Sequence, residues 1–444
     1  MSLLQTTTLG EFATYAYSYP HKSAYGRLSP PISINQIWQA ESTEQLSLYL
    51  HMPFCEMRCG FCNLFTQSQP AGDQVATYLK ALAVQMSVVS DQIPNLHFSQ
   101  FAIGGGTPTF LAANQLETLF EQLIYRLKLD FAQTPTSIET SPGTVTKERL
   151  QLLRAYGIHR VSIGIQSFDK QAAGLLGRPQ EILTVLRALE LLSKYNFPVL
   201  NIDLIYGHPE QSLSTWLEDI RQALRFAPNE LYLYPLYIRP QTGLSKILPY
   251  QHTHRVDLYQ SARGLLLSEG YRQLSLRAFQ KPSAARHSTY ACQRDGMIGL
   301  GCGARSYTQE IHYATRFATT QAGIQTVLAE WIQQTPAEFA LATHGIWLSR
   351  EEQFRRYLIL SLLPVEGVLL TELQNRFPDF DYRDLSGIKQ LQERNWAVIQ
   401  DQRLQLTPKG LQYSDQVAPL LYSNTVLDKL QAFVQFQSSR EPVI

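Results

Sequence analysis

The chain has 444 residues, 44% hydrophobic and 17% charged, with a formal net charge of +1. That size and apolar content exclude wholesale disorder and predict one large domain plus a smaller one, because single cores rarely grow past about 250–300 residues. A net charge near zero gives no whole-chain attraction for nucleic acid or an anionic membrane.

The first residues carry neither a basic segment nor a long apolar run, so no secretory leader is expected. The most apolar stretch, 357–370, is interrupted by Pro364 and Glu366 and falls short of the ~20 residues a membrane helix needs. Five cysteines without framework spacing fit a reducing compartment, so the expected location is the cytoplasm.

Residues 1–45 are rich in aromatics and prolines (Tyr15, Tyr17, Tyr19-Pro20, Tyr25, Pro30-Pro31, Trp38) and read as an extended arm over the surface. From 46 to 279, short β-rich runs alternate with amphipathic segments. Strands are expected at 46–52, 98–104, 137–140, 160–165, 199–205 and 230–238. Several are apolar on both faces, the mark of parallel strands covered on both sides. Helices are expected at 115–127, 147–156, 182–195 and 214–226; in the first, Leu116, Leu119, Phe120 and Leu123 share one face. Six strand–helix units predict an α/β fold, a barrel or an open part of one.

Residues 280–349 form a glycine-rich connection. Its Ile298-Gly-Leu-Gly-Cys-Gly-Ala304 lacks the strand–turn–helix setting of a nucleotide fingerprint. Residues 350–422 read as three helices and a hairpin, a winged-helix-like α+β module, and 423–444 as a tail. The third helix, 385–394, has two basic residues, too few for the phosphate contacts that dominate DNA affinity, so no nucleic-acid partner is expected.

Three of the five cysteines fall in Cys55-Glu-Met-Arg-Cys59-Gly-Phe-Cys62. Thiolates that close together point to a metal. Zinc sites usually pair C-x2-C units, and neither Cys292 nor Cys302 supplies a second pair. A zinc staple of these three with His51 is the structural alternative. Iron–sulfur clusters are held by cysteine thiolates, normally four for a cubane. Three ligands would leave one iron open to a small molecule.

In an α/β sheet of this kind, ligands gather at the carboxyl ends of the strands. The cysteine loop follows the first expected strand and Gly104-Gly-Gly-Thr-Pro108 the second. Glu139 closes the third, Gln166 the fourth, and Asp203 lies on the fifth. A carboxylate in so apolar a strand is costly to bury unless it is paired. Arg178 offers a planar fork suited to a carboxylate. Each residue alone is more readily an ordinary capped, paired or solvated group; their recurrence at successive strand ends sets them apart.

The cysteine loop resembles the signature of the radical S-adenosylmethionine (SAM) superfamily. Tyr49-Leu-His51-Met-Pro53-Phe54-Cys55 is similar to the oxygen-independent coproporphyrinogen III oxidase group, whose relatives include haem chaperones and class C radical SAM methyltransferases. The resemblance spans roughly residues 19–410, and Ser18-Tyr19-Pro20 resembles part of that group's N-terminal arm. It implies an open (β/α)6 partial barrel and a 4Fe-4S cluster on Cys55, Cys59 and Cys62. It also implies one or two SAM molecules contacted by Tyr49, Phe61, Gly105, Gly106, Thr107, Glu139, Gln166, Arg178 and Asp203. The implied activity is reductive cleavage of SAM to a 5′-deoxyadenosyl radical that abstracts hydrogen from a small molecule of tetrapyrrole type, with flavodoxin or ferredoxin as electron donor.

Two departures bear on function. Coproporphyrinogen oxidases carry a further cysteine two residues past the third ligand, where this chain has Leu64. The haem chaperones carry a His-Asn-x-x-Tyr-Trp motif, and the matching His287-Ser-Thr-Tyr-Ala-Cys292 keeps only the histidine in place. Oxidation, methyl transfer from two SAM molecules and haem handling are therefore the three candidate outcomes. No residue outside the SAM shell points to one chemical class of substrate, and no catalytic residue is singled out.

Overall fold

A computed structural model describes residues 17–238, 242–246, 255–283, 296–316, 318 and 320–438. Six parallel strands carry the architecture: β1 (Leu46–Met52), β2 (Phe98–Gly105), β3 (Thr136–Thr140), β4 (Arg160–Gln166), β5 (Val199–Tyr206) and β6 (Glu230–Pro235). They pair in sequence order, each parallel to the next. The expected strands are all present; the last ends at Pro235, short of the expected 238. Of the eight residues of β5, seven are buried and only Asp203 is partly exposed, as expected where both faces of a parallel strand are covered.

The covering helices follow the apolar periodicity. Helix Ala113–Leu127 buries Leu116, Leu119, Phe120, Leu123 and Leu127 on one face. Each such leucine contributes about 1.5–3 kcal/mol when fully buried. Helices Lys147–Ala155, Ile182–Tyr195 and Leu213–Leu224 repeat the arrangement.

The sheet does not stop at six strands. Met297–Leu300 adds a seventh, β7, parallel to β1, with Gly299 opposite Tyr49. The glycine-rich stretch is therefore sheet, and its glycines answer to packing. A Cβ at Gly299 would overlap the Arg305 carbonyl, and one at Gly301 (φ +90°) would lie 2.5 Å from the His51 carbonyl oxygen. Antiparallel strands Arg305–Tyr307, Ile311–Ala314 and Leu341–Trp347 extend the sheet beyond β7. Beyond these, Gly26–Ser33 pairs with Leu341–Trp347. The arm is therefore an edge strand in this segment, the position where Pro30 and Pro31 cost no ladder bond.

A second core packs against the outer part of the sheet, taking in Ile346 of the Leu341–Trp347 strand. Helices Arg350–Leu362, Leu370–Arg376 and Ser386–Glu393 pack with a three-stranded sheet of Val368–Leu369, Arg403–Leu406 and Ala397–Gln400. Asp401 and Gln402 both adopt positive φ, the turn that suits a two-residue hairpin. Tyr19, Ala24 and Tyr25 enter this core from one end of the chain, and Val426 and Leu430 from helix Asn424–Ser438 at the other. The Tyr19 hydroxyl donates to Glu352, which also accepts from Ser423 Oγ at 2.5 Å.

The module is fastened to the sheet by an ion pair. Arg277, beside β6, is 3% exposed and meets Asp415 at 2.8 Å, with Tyr237 bonded to both. No helix among the described residues is long and apolar enough to cross a membrane. Removing one partner of a buried pair costs about 3–5 kcal/mol. Asp415→Ala should lose that much in urea unfolding; a loss below about 1 kcal/mol, the value of an exposed pair, would show that the pair does not hold the module.

Candidate cofactor site

The site begins where β1 and β2 run out. His51 stands opposite Gly104 and Met52 opposite Gly105 in the ladder. Pairing continues past the strands: Gly106 N–H donates to the Met52 carbonyl at 2.7 Å, and Thr107 N–H to the Phe54 carbonyl at 2.8 Å. Side chains cannot occupy this crossing. A Cβ at Gly106 would sit 2.5 Å from the Phe54 oxygen and 3.0 Å from Cys55 Sγ. Gly105, at φ +108°, would drive one into the His51 ring. The two glycines let one turn lie against the cysteine loop.

Each cysteine sulfur has a polar neighbour. Thr107 Oγ1 is 3.6 Å from Cys55 Sγ, Thr66 Oγ1 is 3.7 Å from Cys62 Sγ, and Arg178 Nη1 donates to Cys59 Sγ at 3.2 Å. All three cysteines are partly exposed and free of disulfides. Burial, with smaller contributions from the neighbouring thiols, pushes Cys55 up to about 12 and raises Cys62. Such thiols need a compensating positive charge to stay ionised, which bound iron supplies; the donor set fits an iron–sulfur cluster. Among the described residues no three Cys, His, Asp or Glu side chains close on a single metal ion. His51 is spoken for: Nε2 donates to the Phe65 carbonyl at 2.8 Å, and Nδ1 accepts from the Tyr49 hydroxyl at 3.1 Å. Burial lowers its pKa to about 4, so the ring is a neutral brace, and with both nitrogens engaged it has none left for the zinc alternative.

Carboxylates line the next strands. Gly105 N–H donates to Glu139 Oε2 at 3.1 Å, and a Cβ at Gly104 would lie 2.9 Å from that carboxyl. Glu139 is accessible to water yet ringed by protein; burial, then the charge of Asp203, pushes it up to about 7. Asp203 accepts from Ser162 Oγ at 3.1 Å and Asn201 Nδ2 at 2.7 Å, and burial raises its pKa too. Arg160 pairs with Glu230 at 2.8 Å in the same interior. Gln166 ends β4 at φ +71°, where the register with β5 slips between Gly164 and Gln166. That strained backbone turns the chain at the strand's carboxyl end. Phe61 packs against Leu176, Ile205, Leu236 and Leu244.

The expected residues thus share one end of the sheet, but Arg178 is placed otherwise than expected. Its Nη1 is on Cys59 and its Nη2 donates to the Gly164 carbonyl at 2.9 Å, so protein atoms occupy the fork. His287 and Cys292 lie outside the described residues. Cys302 is fully buried behind β7, away from the cysteine loop's open face. Sequence reasoning missed Arg160, Glu230, Ser162 and Asn201, whose signal was a cluster of polar residues inside apolar strands. It also missed His208, two residues past β5, which is 7% exposed with neither ring nitrogen hydrogen-bonded among the described residues.

Comparison with known proteins agrees with this geometry. Residues 49–223 match the radical SAM superfamily and residues 348–413 the HemN C-terminal domain. The chain is 33% identical over 269 residues to the haem chaperone HemW of Escherichia coli, covering 58% of this chain and 69% of that one. It is 28% identical over 395 residues to the oxygen-independent coproporphyrinogen III oxidase of Synechocystis, covering 82% of each. In fold it matches the coproporphyrinogen III oxidase HemN of Escherichia coli with a TM-score of 0.78, at 24% identity, over 92% of this chain and 96% of that one. The chain belongs to the radical SAM superfamily, in the group that includes the oxygen-independent coproporphyrinogen III oxidases and the HemW haem chaperones. Proteins of this family use a 4Fe-4S cluster and SAM.

The raised Glu139 carboxyl has a stability consequence. Unfolded, it titrates near 4.5; folded, near 7, so the fold favours the protonated acid. Its stabilising contribution is complete below the unfolded value and is lost as pH rises through the folded one. Thermal unfolding of the cofactor-free protein between about pH 5 and 8 should be flatter for Glu139→Gln than for wild type. Parallel curves would contradict the assignment.

Proposed function

We propose that this chain is a radical SAM oxidoreductase acting on a small molecule of tetrapyrrole type. The observation that carries the reading is the Gly105–Glu139 hydrogen bond of 3.1 Å, one turn from the Thr107–Cys55 contact of 3.6 Å. It sets an acid, a bare backbone turn and the cysteine loop side by side. When bound, the cluster and SAM supply one-electron cleavage of SAM to methionine and a 5′-deoxyadenosyl radical, which takes hydrogen from the substrate.

The residues of the chain hold and orient. Cys55, Cys59 and Cys62 would bind the cluster. The unsubstituted Gly105 and Gly106, with Thr107, admit the methionyl end of SAM to within hydrogen-bonding distance of the backbone. Glu139 accepts from an ammonium group, and the cation would bring its raised pKa back down. Asp203 and Gln166 suit the ribose and adenine, while Tyr49 and Phe61 close the sides against water. Tyr232 and Tyr234, stacked with centroids 6.1 Å apart on β6, offer flat apolar surface to a large conjugated substrate. Met57 and Leu64, both exposed beside the cysteines, are where a flavodoxin or ferredoxin would deliver its electron.

Haem handling is the second reading. It is favoured by the 33% identity to HemW and by Leu64, which replaces the fourth cysteine of the oxidases.

Anaerobic reconstitution, reduction and incubation with SAM should yield 5′-deoxyadenosine; none from fully loaded protein would sink the enzyme reading. S-adenosylhomocysteine among the products would point to methyl transfer instead. Haem titration of wild type against His287→Ala checks the chaperone reading, which requires that the variant bind more weakly. Cys59→Ala should abolish the broad visible absorption of the cluster.

A further inference from the structure

We propose that Arg178 is a positioning residue for the cysteine loop whose charge sets the reduction potential of the cluster, an assignment that rests on the radical SAM reading. Its Nη1 donates to Cys59 Sγ at 3.2 Å and its Nη2 to the Gly164 carbonyl at 2.9 Å. A guanidinium is planar and always charged, so two anchors fix its plane as well as its position. The other two cysteines receive long hydroxyl contacts, Cys55 from Thr107 at 3.6 Å and Cys62 from Thr66 at 3.7 Å, and Cys62 also accepts from the Leu64 backbone N–H. Arg58 acts on Cys62, and Arg178 on Cys55, through charge, whereas Arg178 meets Cys59 by direct donation.

The backbone is built to hold it there. Helix Lys170–Leu175 ends with Gly177 N–H donating to the Gly174 carbonyl and Arg178 N–H to that of Ala173, with Gly177 at φ +62°. This left-handed close of a helix favours glycine, and it turns the chain onto the cysteine loop. Gly60 N–H donates to the Leu176 carbonyl at 3.1 Å, and the Gly60 carbonyl accepts from Leu244 N–H at 2.9 Å. Three chain segments therefore cross at Gly60, which lies between Cys59 and Cys62. The crossing leaves no room for side chains. A Cβ at Gly177 would sit 2.7 Å from Gly60 N, and one at Gly243 would sit 3.3 Å from Gly60 Cα. Arg178 is the next residue after that crossing, so the junction that seats the cysteine loop also aims the guanidinium.

Cluster potentials follow net charge and hydrogen bonds to sulfur. Reduction adds negative charge, so a fixed cation on one ligand stabilises the reduced state more than the oxidised one. Arg178 makes the cluster easier to reduce.

The test is an EPR-monitored redox titration of reconstituted wild type, Arg178→Gln and Arg178→Lys, without SAM. Both variants should have lower midpoints than wild type. Lysine should recover part of the loss, because it restores the charge without the fork. For glutamine the reduced fraction at a fixed potential should fall about tenfold, equivalent to 59 mV for one electron. If glutamine prevents cluster uptake, the neutral Arg178→Met takes its place, and a wild-type midpoint there overturns the proposal. Unchanged SAM-free midpoints with weakened SAM binding would also overturn it and return Arg178 to the SAM carboxylate. Failure of wild type to take up a cluster would overturn the radical SAM reading and this assignment together. An intact wild-type cluster indifferent to Arg178 overturns only the latter.

Discussion

The site depends on a backbone crossing. Where β1 and β2 end, their peptide pairing runs on for two more hydrogen bonds, from Gly106 to Met52 and from Thr107 to Phe54. Those bonds press the glycine turn onto the cysteine loop with nothing between. The sulfur of Cys55, the imidazole of His51 and the carboxyl of Glu139 each lie where a Cβ on Gly106, Gly105 or Gly104 would fall. Three adjacent residues without side chains thus fix the spacing of a thiol, a brace and an acid. A close backbone approach of this kind is the setting in which glycine's missing Cβ outweighs its entropic cost.

Much of this was legible in the sequence, and the reasons are local. The six parallel strands announce themselves because both faces are apolar, and the cysteines because their spacing suits few metals. The segments that were harder to read depend on partners far away in the chain. Gly26–Ser33 contains two prolines and becomes a strand only through Leu341–Trp347, more than three hundred residues later. β7 hides because it is four residues long and Gly299, required by contact with Arg305, dilutes its apolar pattern, with Gly301 against His51 just past its end. Arg178 reads from the sequence as a fork for a carboxylate, and in the structure its fork meets Cys59 Sγ and the Gly164 carbonyl. Which anion it meets depends on the course of Gly60 and Gly177, and no residue near Arg178 encodes that.

The interior of the sheet is polar at a cost. Asp203, Arg160 and Glu230 share a volume largely closed to water, with Glu139 at its more open edge. The Arg160–Glu230 pair and the hydroxyl and amide donors to Asp203 offset only part of that cost. The residual strain is visible in the raised Glu139 and Asp203 acids. A bound cation would relieve it, so the acids make the empty pocket less stable and the filled one more so.

The second core has a consequence for how the chain is made. Tyr19 is synthesised long before its partners, since its hydroxyl donates to Glu352 and accepts from the Ser423 backbone N–H. On a ribosome the segment must wait through some four hundred residues of elongation before both partners have emerged. The parallel sheet, whose neighbours are adjacent in sequence, needs no such delay. Assembly therefore has a natural order in which the sheet closes first and the two ends of the chain are knotted into the module last. Once Leu341–Trp347 has emerged, the outer edge it forms stands open to pairing with another chain until Gly26–Ser33 covers it.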